Sequence, residues 1–259
     1  MQQVVDTWEG GLRASGGTLV PSKSYWFLIH FIFDRNKWRY ARLNECPGNV
    51  TIRDIIGHDR VELEQLDVHN AKETLGVFIA MDGNQREQTK SLRSKANRWA
   101  DKIRAGTYSE AETWYSLQFC LLKLLEYPLM ATSMSKTQCD SFMKPIRAAG
   151  LPSLEINRHL SKVVAHGPQL YQGIGIPGIW TVQGIMKMWL AINHGDAPTI
   201  TGHQLRASME LLTLEIGLPG HVLQQPYQLF GHLATNSWLS HLWEFCDDSN
   251  IQLTTTTST

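Results

Sequence analysis

The stretch Asn84-Gln-Arg-Glu-Gln-Thr-Lys-Ser-Leu-Arg-Ser-Lys-Ala-Asn-Arg-Trp-Ala-Asp-Lys-Ile-Arg-Ala105 decides the fold class, because the hydrophobic period changes there. Leu92, Ala96, Trp99 and Ile103 recur at i, i+4, i+7 and i+11, one stripe of a helix over 85–105. The same stretch carries Arg86, Lys90, Arg93, Lys95, Arg98, Lys102 and Arg104 against Glu87 and Asp101. The apolar stripe should face the core and leave the basic groups outward. Such a face binds phosphates without regard to sequence and releases them in salt. A merely solvated surface helix has the same pattern.

Upstream of this helix the pattern is mostly of period two. Val4, Val5, Trp8 and Leu12 predict a first helix, stopped at Gly16-Gly17. Ser24–Phe33 is rich in Tyr, Trp, Phe and Ile, and the turn Asp34-Arg35-Asn36 leads into Lys37–Arg42, a hairpin. Val50–Asp54 and Val61–Val68 suggest a second pair across Gly57-His58-Asp59. Glu73–Ala80 reads as one short apolar strand.

Downstream, the helical period persists. Ser109 with Glu112 predicts a capped helix containing Trp114, Leu117, Leu121 and Leu124, ended before Pro128. Ser135 with Gln138 predicts another, with Gly150 just past its end. Thr201 with Gln204 opens a helix carrying Leu205, Met209, Leu212 and Ile216, and Gly217 ends it. The last helix holds Trp238, Leu239, Leu242, Trp243 and Cys246, before a polar tail at 254–259 expected to be disordered. Strands first, then helices, is an α+β order. The irregular loop around Gly167–Gly178 reads as a hinge.

Composition excludes several classes. In 259 residues, 42% hydrophobic and 19% charged, Lys plus Arg equals Asp plus Glu at 24. A globally basic nucleic-acid binder is thus out. Residues 1–150 nevertheless hold 20 basic side chains against 17 acidic, and 151–259 hold 4 against 7, so positive charge gathers in the first part. Cys46, Cys120, Cys139 and Cys246 are far apart, which suggests reduced thiols in an intracellular protein. No signal peptide and no membrane span are expected.

Two motif matches fail on context. Gly173-Ile-Gly175-Ile-Pro177-Gly178 matches a dinucleotide fingerprint, but no strand of Val and Ile precedes it. Phe245-Cys246-Asp247-Asp248 matches the aromatic-x-Asp-Asp of polymerases, whose carboxylates hold two metal ions on a tight hairpin. Here they end a helix and are expected to be frayed and solvated. His194, His203, His221, His232 and His241 lack zinc-site spacing. Cys120 is a poor nucleophile candidate, because it sits on the Leu-rich face of a helix, where burial raises a thiol pKa.

Taken together, the segments resemble the later part of a reverse transcriptase (RNA-directed DNA polymerase) of non-LTR-type retroelements, a retrotransposon nucleotidyltransferase. Trp8-Glu-Gly-Gly-Leu-Arg-Ala-Ser-Gly-Gly17 with Pro21-Ser-Lys23-Ser-Tyr-Trp26 is similar to the end of the palm and its motif D. Glu73-Thr-Leu75-Gly76-Val77 resembles motif E, the primer-grip hairpin. Asn84 to about Tyr127 resembles the start of the helical thumb. Gly173-Ile-Gly175-Ile-Pro177 and Gly231-His-Leu-Ala-Thr-Asn-Ser-Trp238 resemble the C-terminal region.

The resemblance implies a palm remnant of short antiparallel strands at 1–83, a thumb at 84–150 and a C-terminal helical region at 151–259. It implies that Lys23 is a general acid toward pyrophosphate and that Leu75 and Gly76 position the primer backbone. Arg86, Lys90, Arg93, Lys95, Arg98 and Lys102 would contact an RNA–DNA or DNA duplex. The family's fingers and metal-binding aspartates would precede residue 1. No cofactor is therefore expected on these residues, Mg2+ being expected only with the full polymerase. A missing fingers and palm portion is an expected partner. A non-catalytic helical interaction protein, or a decayed remnant, is the alternative.

Overall fold

The chain, in a computed structural model, is described over residues 1–54 and 59–253. It forms two compact units, Met1–Gln85 and the residues from Arg86 onward. The architecture is α+β, with short strand pairs in the first unit and helices in the second.

The first unit opens with α1 (Gln2–Ala14). It continues through β1 (Tyr25–Phe27), β2 (Phe31–Asp34), β3 (Lys37–Tyr40), β4 (Thr51–Arg53), β5 (Arg60–Glu62), β6 (Glu64–Leu66), β7 (Lys72–Thr74) and β8 (Val77–Ile79). The hairpin β2–β3 turns on Arg35 and Asn36, both at positive φ. Two such residues match the right-handed twist of the flanking strands. β4 pairs with β5 as expected from the sequence, whereas residues 57 and 58 of the expected turn lie outside the described residues.

Helix α1 clamps the edge of β4. Gln2 Nε2 donates to Thr51 O at 2.8 Å, and Gln2 Oε1 accepts from Thr51 N at 2.8 Å. Glu9 Oε1 accepts from Arg53 N at 2.8 Å, and Arg13 donates to Asp54 O. Side chains thus supply the bonds a third strand would have made. Of the apolar residues that mark α1 in sequence, Val5 packs half-buried against Val50, Ile52 and Leu63, whereas Val4 and Trp8 are exposed and Glu9 is buried.

Two strand expectations are corrected. Ser24–Phe33 breaks at Leu28–His30. Its first part, β1, pairs in parallel with β6 and not antiparallel, because the connection between them carries both hairpins and returns the chain in the same direction. Glu73–Ala80 is not one strand but the hairpin β7–β8, with Leu75 and Gly76 as its turn at φ 51° and 82°.

The second unit comprises α2 (Arg86–Ala105), α3 (Glu110–Tyr115), a π-turn (Ser116–Leu121), α4 (Leu122–Ala131), α5 (Lys136–Ser153), α6 (Lys162–His166), α7 (Ile179–Gly195), α8 (Ile200–Ile216), α9 (Tyr227–Phe230) and α10 (Trp238–Asp248). One core joins Leu92, Ala96, Trp99 and Ile103 of α2 to Phe142, Met143 and Ile146 of α5 and to Ile176 and Ile179. A second joins Ala191, Leu212, Ile216, Leu242 and Trp243 of α7, α8 and α10.

Several helix boundaries differ from expectation. α4 runs through Pro128 to Ala131. The carbonyl that Pro128 leaves without a donor belongs to Leu124, which is exposed where Leu-face burial was expected, so water can replace the lost bond. α5 continues past Gly150 to Ser153; that glycine lets the ring of Trp99 approach, since a Cβ there would lie 3.3 Å from it. The line expected near residue 150 therefore falls inside a helix. α8 is capped by Thr199, not Thr201. Cys120 is exposed on the π-turn, not on the buried face. The loop expected as a hinge is tied back: Ile174, Gly175 and Ile176 N–H groups donate to Val164, Gly167 and Ala165 carbonyls.

Candidate nucleic-acid interface

Helix α2 buries Leu92, Ala96, Trp99, Ala100 and Ile103, and the indole of Trp99 donates to Ser116 Oγ at 3.1 Å. At 3.6 residues per turn the basic side chains do not form one face. Arg86, Lys90 and Arg93 project along one flank of the buried stripe, and Lys95, Arg98 and Lys102 along the other, roughly 150° away. Arg104 falls on the first flank. Glu87 and Asp101 occupy the crest between them.

Those two acids pair with two of the four cations on the first flank. Lys90 Nζ lies 3.3 Å from Glu87, and Arg104 Nη1 lies 3.0 Å from Asp101. Lys95, Arg98 and Lys102, three and four residues apart, have no ion-pair partner among the described residues. Arg98 and Lys102 are exposed and Lys95 is half-buried. This second flank is a cationic track about 10 Å long at 1.5 Å per residue.

In the first unit, Lys23 ends a 3-10 turn over Pro21–Lys23 and is exposed. Leu75 and Gly76 form the exposed turn of β7–β8, Leu75 at 85% exposure, so neither is buried strand. The structure brings these two segments together. Tyr25, two residues after Lys23, hydrogen-bonds Thr74 beside Leu75, and Lys72 Nζ sits 5.7 Å over the Tyr25 ring.

A buried polar cluster in the second unit escaped the sequence reading. Lys187 is fully buried, and its Nζ donates to Ser133 Oγ at 3.0 Å and to Trp238 O at 3.4 Å. Burial pulls its ammonium down to about 7, partly opposed by Cys139 and Glu244. His241, also buried, is held down to about 4 by burial and by Lys187. The one available signal was a lone Lys within the apolar run Gly184–Ala191.

The metal-binding reading of Asp247 and Asp248 does not fit the residues present. Asp248 is ion-paired to Lys136 at 2.7 Å, and Asp247 accepts from Gln228 N, at the end of α10. That pairing also corrects the expectation of a merely frayed, solvated helix end. Among the described residues no group of His, Cys, Asp and Glu is placed to hold a metal ion, and no helix is long and apolar enough to cross a membrane. No protein-family model, no curated protein and no solved structure matches this chain.

Proposed function

We propose that this chain is a reverse-transcriptase-like palm end, thumb and C-terminal helical region that grips the backbone of a primer–template duplex through α2. One observation carries the reading: a long helix, seated by its buried Leu92–Ile103 stripe, presents Lys95, Arg98 and Lys102 without ion-pair partners among the described residues. Phosphate contact of this kind needs positive charge on a fixed scaffold and no base-specific groups. The neighbourhood of Lys23 and the Leu75–Gly76 turn supports the palm reading, since the motif D-like and motif E-like segments meet at Tyr25 and Thr74. Polymerisation is not assigned to these residues, and no step is routed through a metal ion.

The test is titration of the purified chain onto a labelled RNA–DNA hybrid across a salt series. Engagement of this second flank predicts that log K falls against log salt with a slope of about −2 to −3. Absence of binding at low salt rejects the proposal. An interaction-protein reading is favoured by a different observation, the exposed Tyr127, Ile185, Trp189 and Ile192 on α4 and α7. Self-association without hybrid binding would support it.

A further inference from the structure

We propose that the β2–β3 hairpin is a stacking platform for the unpaired bases of a single-stranded nucleic acid. Its register sets Phe31 opposite Tyr40 and Phe33 opposite Trp38, so four aromatic rings share one face of the hairpin. No third strand joins this sheet among the described residues. A lone two-stranded sheet is marginal by itself. Yet Phe33 and Trp38 stay in solvent, 78% and 58% exposed, while Tyr40 is half-buried.

Three of the four rings, Phe31, Trp38 and Tyr40, brace one another, and His69 joins Tyr40. Phe31 and Trp38 meet at 5.4 Å and 76°, Trp38 and Tyr40 at 5.4 Å and 89°, and Tyr40 and His69 at 5.5 Å and 82°. Edge-to-face contact fixes the rings and leaves flat surface for a flat partner. Beside them lies a cavity of about 790 Å³ lined by Trp38, Tyr40, Arg42, Asn44, Asp67 and His69. That is nucleotide-sized, with polar groups able to meet base edges.

Charge selects the occupant. The hairpin and its exit carry Arg35, Lys37, Arg39 and Arg42 against Asp34. Arg39 is consumed by a two-pronged contact with Glu45 at 2.7 and 2.6 Å, which leaves Arg42 exposed at the cavity beside the rings, and Arg35 and Lys37 exposed at the turn end of the hairpin, Lys37 on the face opposite the rings. An apolar protein face would have to desolvate those cations without compensation. A single strand offers bases to the rings and phosphates to the cations together. The inference does not rest on duplex binding by α2, since it concerns the other unit and needs unpaired bases.

The test uses the full chain with labelled oligo-U, oligo-dT and an RNA–DNA hybrid, read by fluorescence anisotropy. Both single strands should bind within a few-fold of each other, because stacking reads base faces and not the 2′-hydroxyl. Phe33→Ala and Trp38→Ala should each weaken single-strand binding by about tenfold. Trp38→Tyr should retain most of it, and hybrid binding should be unchanged in all three. Circular dichroism melts confirm that the variants fold. Single-strand binding that is absent at low salt, or indifferent to both alanine variants, overturns the proposal. Self-association abolished by Phe33→Ala would also overturn it, in favour of a second copy of the chain as occupant. Loss of hybrid binding with intact oligo-U binding would count against the duplex reading alone.

Discussion

Lys187 Nζ lies 3.0 Å from Ser133 Oγ, in a pocket closed by the Trp238 ring at 5.4 Å, and it has no carboxylate within ion-pair distance among the described residues. Burial penalises the ammonium, so its folded value of about 7 sits below the ordinary 10.5. Between those values the unfolded chain binds the proton and the folded chain does not. Stability therefore rises with pH from about 7 toward 10.5, by about 1.4 kcal/mol per pH unit from this group. His241 acts the same way lower down, and stability falls as pH drops from 6.5 toward about 4. Urea unfolding at a series of pH values checks both windows. Lys187→Met should flatten the upper one and leave the chain as stable or more so at pH 7.

Leu75 occupies the left-handed region at φ 51° in the two-residue turn of β7–β8. A γ-branched side chain gains nothing there, since it is 85% exposed. Leu75→Asn should stabilise the chain by about 0.5–1 kcal/mol, because Asn tolerates this backbone and suits such turns. Gly76→Ala, at φ 82°, should destabilise by about 1 kcal/mol although space around it is open. Chemical denaturation midpoints of the two variants should move in opposite directions.

Gly184 of α7 faces Phe245 of α10 so closely that a Cβ would lie 2.2 Å from the root of the ring. Gly→Ala inside a helix normally gains about 1 kcal/mol. Here the buried ring has nowhere to go, and Gly184→Ala should cost about 1–3 kcal/mol net. A thermal melt showing stabilisation would mean that the two helices are less tightly apposed than described.

Gln183 holds the α4–α5 loop from within the core. Its Oε1 accepts from Met134 N and its Nε2 donates to Met134 O, both at 3.0 Å. Gln183→Leu keeps the size but orphans the Met134 N–H and leaves Met134 O only the weak Cys139 Sγ donor at 3.8 Å, and should cost about 1–3 kcal/mol. Hydrogen exchange at Met134 should rise in step.

The helices were largely legible because their signals are local. The Ser109 and Ser135 capping boxes form as spaced, and the Leu92–Ile103 stripe is the buried face of α2. What failed depends on partners distant in sequence. Gly150 reads as a terminator until Trp99 is placed against it. Nothing in Tyr25–Phe27 announces a parallel partner at Glu64–Leu66. The count of basic residues on α2 concealed their arrangement, since angular position around the helix decides which of them Glu87 and Asp101 reach. The buried Lys187–Ser133 contact spans α7 and a loop 54 residues away and left only a lone lysine as its trace.

The two flanks of α2 allow the account to be tested directly. A variant with Lys95, Arg98 and Lys102 changed to Gln and one with Arg86, Lys90 and Arg93 changed to Gln remove equal charge. Each is titrated onto an RNA–DNA hybrid across a salt series. The first variant should lose most of the affinity, and its salt slope should shrink by about two to three. The second should lose less, because one of its three cations, Lys90, is already held by Glu87. Equal losses in both variants, or none in either, would contradict the assignment of the Lys95–Lys102 flank as a duplex-binding track.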